Sequence, residues 1–270
     1  MSDILYRIVA AKEQEVAQRK AAFAPGELER QLAQQPTPRP FAQALRTNRA
    51  QGAVRGKGTQ VNVIAELKPR SPSKGEFPWH GDPARTARAY QAGGARAMSV
   101  LTDQPFFGGS VELLQAARAA CGLPVLMKDF VVDPWQVAYA RAVGADAVLL
   151  IAAVLTGHRL AEALAEARRV GVATLVEVID EEEMARANDA GAEVVGVNNR
   201  DLKTFTMDPE RSLRLLALAR PEQVFVTESG IRSRTDVERM LAAGVDAFLI
   251  GEALMTSPDP EGLLKELRGE

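Results

Sequence analysis

The chain has 270 residues, 46% of them hydrophobic and 25% charged, with a formal net charge of −2. That is ordinary globular composition, long enough for one large domain or two small ones. Acidic and basic residues are interleaved, so no broad basic field points to nucleic acid, and no apolar run is long enough to span a bilayer. The single cysteine, Cys121, excludes an intramolecular disulfide and a multi-cysteine metal site. The two histidines, His80 and His158, give little support to histidine ligation of a metal. The opening stretch MSDILYRIVAAKEQEVAQRK lacks the apolar core and small-residue cleavage site of a secretory signal, which predicts a soluble, cytoplasmic protein.

In chain order, residues 1–60 come first and stand apart from the rest. ILYRIVAAKEQEVAQRK predicts an amphipathic helix with Ile4, Ile8 and Val9 near one stripe, QQPTPRP a break, and FAQALRT a further helical turn. The expectation is a helical extension packed on the domain that follows, with a lid over that domain's active end as the alternative.

From Val61 onward one unit recurs: a short apolar run, a polar loop and an amphipathic helical stretch. The runs are VNVIAEL, AMSVLTD, PVLMKDF, AVLLIAAV, TLVEVID, VVGVNNR, VFVTESG and AFLIGEAL, beginning at Val61, Ala97, Pro124, Ala147, Thr174, Val194, Val224 and Ala247. Most lack polar alternation, as parallel strands covered by helices do. DPARTARAYQAGG, DPWQVAYARAVGA, DPERSLRLLALAR and DPEGLLKELRG each place Asp at a helix N-cap and Pro at the first helical position. SVELLQAARAAC, GHRLAEALAEARRVG, DEEEMARANDAGA and SRTDVERMLAAGVD complete the helices. Glycines 94, 144, 191 and 244 follow helices and suit a left-handed C-terminal turn. The doubly wound sheet is the main rival, but no G-x-G-x-x-G follows the first strand. Residues 61–270 therefore predict a (β/α)8 TIM barrel of the α/β class.

Barrel active sites are built where the strands end C-terminally. Glu66 and Lys68 end the first strand two residues apart, on one face. The third ends in Lys128 with Phe130, the fifth in Glu177, the sixth in Asn198 and Arg200, and the seventh in Glu228 and Ser229. Any one such residue has a bland explanation, a solvated or salt-bridged charge. Together they converge on one cavity, where each unpaired charge would cost several kcal/mol, so they predict a network. Lysine beside carboxylates in a partly apolar cavity suits proton transfer. Ser229 with Gly230, and Gly251, lie at the ends of the last two strands, where many barrels bind phosphate. Lys68 and Ser71 could complete that anion site. Glu252 opposes an anion there unless it points away.

The ordered motifs IAELKPRSPSKG, SVLTDQPFFGGS, PVLMKDFVVDPWQV, TLVEVIDEEE, GVNNRDLKTFTMD and ESGIRSRTDV resemble those of the indole-3-glycerol-phosphate synthase family of tryptophan biosynthesis, across nearly the whole chain. The resemblance implies a carboxy-lyase that closes the ring of 1-(2-carboxyphenylamino)-1-deoxyribulose 5-phosphate. Its products are indole-3-glycerol phosphate, carbon dioxide and water. It implies one phosphorylated small-molecule substrate, no metal or organic cofactor, and no nucleic-acid or membrane partner; it leaves the oligomeric state open. Carried over by motif, Lys128 is the general acid of ring closure and Glu177 the proton-transfer partner in dehydration. Glu66 and Asn198 orient that pair and hold the ribulose hydroxyls, and Lys68 meets the substrate carboxylate or donates a proton in dehydration. Arg200, Ser71, Phe107, Phe130 and Glu228 are substrate-binding residues by the same resemblance, with both phenylalanines against the aromatic ring. Ser229, Gly230, Gly251 and Lys68 match the phosphate site. Two other readings stand beside this one: a Schiff-base aldolase with Lys128 as nucleophile, and a non-enzymatic binder of phosphorylated ligands.

Overall fold

Eight apolar runs become eight parallel strands closed into a barrel: β1 Asn62–Leu67, β2 Ala97–Leu101, β3 Val125–Lys128, β4 Ala147–Ile151, β5 Ala173–Val178, β6 Val194–Asn198, β7 Val224–Glu228 and β8 Ala247–Ile250. The computed structural model describes residues 4–46, 60–79, 81–201 and 206–270; His80 and the 47–59 part of the N-terminal extension lie outside the described residues. All eight predicted strands are present and no rival sheet order survives. Closure is made by β1 against β8, with Ala65 opposite Ile250. A two-rung antiparallel ladder, Arg70–Ser71 against Gly75–Glu76, is inserted directly after β1.

Side-chain parity assigns each strand residue to one of two cores. Val63, Ala65, Leu67, Val125, Met127, Val148, Leu150, Val176, Val195, Phe225 and Phe248 face outward into the layer between sheet and helices. Ile64, Leu126, Leu149, Leu175, Val194, Val226 and Leu249 fill the barrel interior. Two residues beyond Ile64, Leu126, Leu175 and Val226, on the same inward face of the four odd-numbered strands, stand Glu66, Lys128, Glu177 and Glu228. A barrel interior is built from layers of four side chains contributed by alternate strands. Here the layer nearest the C-terminal mouth is made entirely of ionisable groups.

Local chemistry sets the helix boundaries. Asp82 and Asp259 cap their helices as predicted, accepting from the backbone N–H of Arg85 and Gly262 with Pro at the next position. The other two Asp-Pro pairs open a turn earlier than the helix. Asp133 accepts from Trp135 N–H and Asp208 from Glu210 N–H, and regular helix begins only at Trp135 and Arg211. Short Asx turns there compete with the cap geometry. Gly144 and Gly244, at φ 99° and 109°, take the left-handed turn that leads back into a strand.

The N-terminal helices α1 Ile4–Ala22, α2 Glu27–Gln34 and α3 Phe41–Leu45 run from one end of the barrel to the other. At the C-terminal mouth, Lys12 of α1 pairs with Asp103 after β2 (3.1 Å) and Asp129 after β3 (2.9 Å). Along the side, Leu28 of α2 packs with Ala138 and Ala142. At the base, Phe41 and Leu45 are buried, and the Asn62 amide at the start of β1 donates to the Leu45 carbonyl at 3.0 Å. The buried stripe of α1 is Leu5, Ile8, Lys12 and Val16. Ile4 and Val9 flank it and are only partly buried, so the predicted stripe is rotated by about one residue and has a lysine at its centre.

Candidate active site

The charged layer opens upward into a cleft of about 150 Å³ lined by residues from both halves of the barrel. Lys128 Nζ lies 3.1 Å from Glu228, 3.3 Å from Glu66 and 4.0 Å from Glu177. Lys68, one step above Glu66 on the same face, closes on its other oxygen at 2.6 Å. All three carboxylates are buried, so solvent screens these pairs little. Two ammonium groups thus face three carboxylates, and one carboxylate is left without a matching charge.

The protonation states follow from that mismatch. Burial alone would raise Glu66, but the Lys68 and Lys128 ammonium groups outweigh it and hold the carboxyl at about 2. Burial likewise favours a neutral Lys128, yet Glu228, Glu66 and Glu177 together raise it well above its ordinary value, so it is a firm ammonium. Glu177 is where the excess is absorbed: burial and the neighbouring Glu228 carboxylate push it up to about 8, against the pull of Lys128 and a hydrogen bond from Asn198. A proton on Glu177 makes the layer electrically neutral.

Space for this layer is created by glycine. A methyl at Gly196, in mid-β6, would overlap the Glu228 carboxylate and press on Leu175; one at Gly251 would overlap Glu66. Neither glycine has positive φ, so close approach, not backbone freedom, is the reason for each.

Asn198 links the layer to the rim. Its Oδ1 accepts from Ser229 Oγ (2.9 Å) and from the Arg200 N–H (3.0 Å). Ser229 is the one non-glycine among the described residues with positive φ, 66°, and Gly230 follows at 86°. Such a serine conformation costs on the order of 1–3 kcal/mol and needs external support. Buried Asn199 supplies it, donating to the Ser229 carbonyl (3.2 Å) and Thr227 Oγ1 (3.0 Å) while accepting from Ser212 N–H and Oγ.

Of the residues singled out in the sequence, Glu66, Lys68, Ser71, Phe107, Lys128, Phe130, Glu177, Asn198, Arg200, Ser229, Gly230 and Gly251 all line the cleft. Phe107 and Phe130 meet at 5.8 Å between ring centres on one wall. Glu228 is placed differently: it is 1% exposed, beneath the cleft floor, with its carboxylate on Lys128. Glu252 lines the cleft rather than pointing away, and three cations surround it: Arg200 (3.3 Å), Lys74 (3.5 Å) and Arg232 (3.5 Å). Sequence reasoning missed Gly196, Asn199, Arg232 and the Lys12–Asp103–Asp129 cluster. Gly196 alone carried a readable signal, a glycine interrupting a valine-rich strand.

A closed eight-stranded barrel with an ionised inner layer at its C-terminal mouth, opening into a cation-edged cleft, defines a (β/α)8-barrel enzyme built for acid–base chemistry. The fold is shared with 3-hexulose-6-phosphate synthase from Salmonella typhimurium (TM-score 0.62, 17% identity, 77% of this chain and 97% of that one). It is shared too with thiamine phosphate pyrophosphorylase from Pyrococcus furiosus (TM-score 0.55, 18% identity, 78% and 95%). A family model described as indole-3-glycerol phosphate synthase matches residues 5–267. A Streptomyces coelicolor protein named indole-3-glycerol phosphate synthase 2 is 49% identical over 269 residues, covering 100% of both chains. The indole-3-glycerol phosphate synthase of Desulfosudis oleivorans is 46% identical over 267 residues, covering 99% of both. The chain belongs to the indole-3-glycerol phosphate synthase family.

Proposed function

We propose that this protein carries out its family's reaction as a cytoplasmic enzyme: ring closure, decarboxylation and dehydration of 1-(2-carboxyphenylamino)-1-deoxyribulose 5-phosphate to indole-3-glycerol phosphate, carbon dioxide and water. Among the described residues no helix is long and apolar enough to cross a membrane. The observation that carries the mechanism is the single ammonium of Lys128 held among three buried carboxylates at the floor of the cleft.

In ring closure the aryl carbon that bears the carboxylate attacks the ketone. Charge develops on the ketone oxygen, and Lys128 donates its proton there. A preorganised ammonium in a water-poor site is well suited to that role. Carbon dioxide then leaves, its bonding electrons restoring the aromatic ring. Dehydration needs one proton for the departing hydroxyl and loses one from the carbon beside nitrogen, so a single group near neutrality can give the first and take the second. Glu177, held near 8, has that proton affinity; Glu66, held near 2, does not. Glu66 and Glu228 instead fix Lys128 from two sides, and Asn198 ties Glu177 to the rim. Lys68 meets the substrate carboxylate, Phe107 and Phe130 pack on the aromatic ring, and Arg200 and Ser71 hold the flanks. Ser229, Gly230 and Gly251 receive the phosphate. Anchoring both ends of a flexible substrate brings the reacting atoms together, which is the larger part of a cyclisation barrier.

A Schiff-base aldolase would require Lys128 as a neutral amine, whereas three carboxylates hold it protonated. Lys128→Ala is expected to lower kcat by about 10²–10⁴-fold while inorganic phosphate still binds, read by indole fluorescence and by phosphate titration. Turnover within tenfold of the parent would remove Lys128 from the mechanism.

A further inference from the structure

The rim of the cleft contains a group that works against its proposed ligand. Glu252 follows β8, and its carboxylate is approached by Lys74 from the loop of the ladder after β1, by Arg200 from the end of β6 and by Arg232 from the end of β7. Arg200, Arg232 and Glu252 line the cleft alongside Ser229, Gly230 and Gly251. Three cations drawn from three separate loops are far more than one half-buried carboxylate needs. They match a doubly charged group with several acceptor oxygens.

The pairs are also loose. Each is 3.3–3.5 Å long, against 2.6 Å for Lys68 on Glu66 in the layer below. Charge-assisted hydrogen bonds in their optimal geometry are about 2.7–2.9 Å long. The side chains are solvent-accessible, with Glu252 at 30% and Arg232 at 69%, so each contact is weak and readily exchanged.

Resting on the phosphate site proposed above, we infer that Glu252 is a resident anion that occupies Lys74, Arg200 and Arg232 in the empty enzyme and competes with the phosphate of substrate and product for them. On ligand entry the three cations turn from the carboxylate to the phosphate oxygens. On exit Glu252 takes them back. Glu252 therefore weakens binding of both ends of the reaction, shortens the residence of product and spares the empty rim an uncompensated cluster of positive charge.

The test is calorimetric titration of the full-length parent and of Glu252→Gln with inorganic phosphate, together with KM for the phosphorylated substrate. Removing one competing charge near a divalent anion in partly screened surroundings predicts phosphate binding about 5- to 10-fold tighter in the variant, with KM lowered by a similar factor. Equal or weaker phosphate binding by Glu252→Gln overturns the competition and leaves the phosphate site standing. Phosphate that binds neither protein and does not inhibit turnover overturns the phosphate site and the competition with it.

Discussion

Replacing Lys12 by Met probes the lysine with the least exposed side chain among the described residues. Lys12 is 2% exposed, and its ammonium meets Glu15 (2.8 Å), Asp129 (2.9 Å) and Asp103 (3.1 Å), the last two themselves almost fully buried. Methionine preserves the chain's length and apolar stem but removes the charge. Asp129 then keeps Thr102 Oγ1 and the Phe130 N–H, and Asp103 keeps the Phe106 N–H, with no cation between the two carboxylates. Removing one partner of a buried ion pair costs about 3–5 kcal/mol. At roughly 2–4 °C per kcal/mol for a chain of this size, Tm falls on the order of 10 °C. The sign with pH is fixed by Lys12 itself. Burial opposes its charge, but Asp129 and Asp103 outweigh burial and raise its pKa above the ordinary 10.5. Its stabilisation is therefore fully present at every pH below about 10.5 and is lost only as pH rises through the higher folded value. The deficit of Lys12→Met is therefore read at pH 8, where Lys12 of the parent carries its full charge, by thermal and urea unfolding followed by circular dichroism. A Tm within 2 °C of the parent would refute the claim that this lysine pins α1 to the barrel mouth.

Two further outcomes bear on the charged layer. Gly196→Ala puts a methyl against the Glu228 carboxylate, so it should destabilise by about 1–3 kcal/mol and lower kcat as Glu228 is forced off Lys128; unchanged Tm and kcat would mean the layer has room that the geometry denies. Glu177, raised to about 8 by burial and Glu228, binds more protons folded than unfolded between its ordinary 4.5 and that value. Its contribution to stability is fully present below about 4.5 and is lost as pH rises through about 8. The Tm of Glu177→Gln relative to the parent should accordingly rise between pH 5 and pH 8 and level off above, and a pH-independent difference would contradict the assignment of the extra proton.

The barrel was legible because its signals are local and redundant. Each strand is an apolar run, and most of the barrel helices carry a side-chain cap, a glycine turn or both, so an error at Asp133 or Asp208 shifts a boundary without changing the topology. The candidate site was legible for a related reason. Parity places Glu66 and Lys68 on one face, and strand order brings residues a hundred positions apart to one mouth, as with Lys128 and Glu228. Depth was not legible. Glu66 and Glu228 sit on equivalent strands, yet Glu66 borders the cleft and Glu228 lies under it, its carboxylate set against Gly196 where any side chain would displace it. Lys12 escaped notice because a hydrophobic stripe is sought among apolar residues, and its two partners on the barrel are 91 and 117 positions away. Asn199 escaped because its role is to hold a carbonyl, which leaves no mark on composition.

The electrostatics divide the site into two zones with different tasks. In the inner layer two ammonium groups and three carboxylates balance once Glu177 carries a proton, so protons can move between substrate and protein with little change in buried charge. That matters energetically, because an uncompensated charge created at this depth would cost several kcal/mol and add directly to the barrier. At the rim the balance is uneven, with Lys74, Arg200 and Arg232 all paired with the one carboxylate of Glu252 among the described residues. On the phosphate site proposed above, net positive charge there would attract an anionic substrate and meet its phosphate without disturbing the neutral layer beneath. Asn198 joins the zones, touching Glu177 below and both Ser229 and Arg200 above. In the proposed mechanism, binding energy gained at the rim would in this way be converted into placement of the reacting carbon and ketone over Lys128, the one step the inner layer cannot perform for itself.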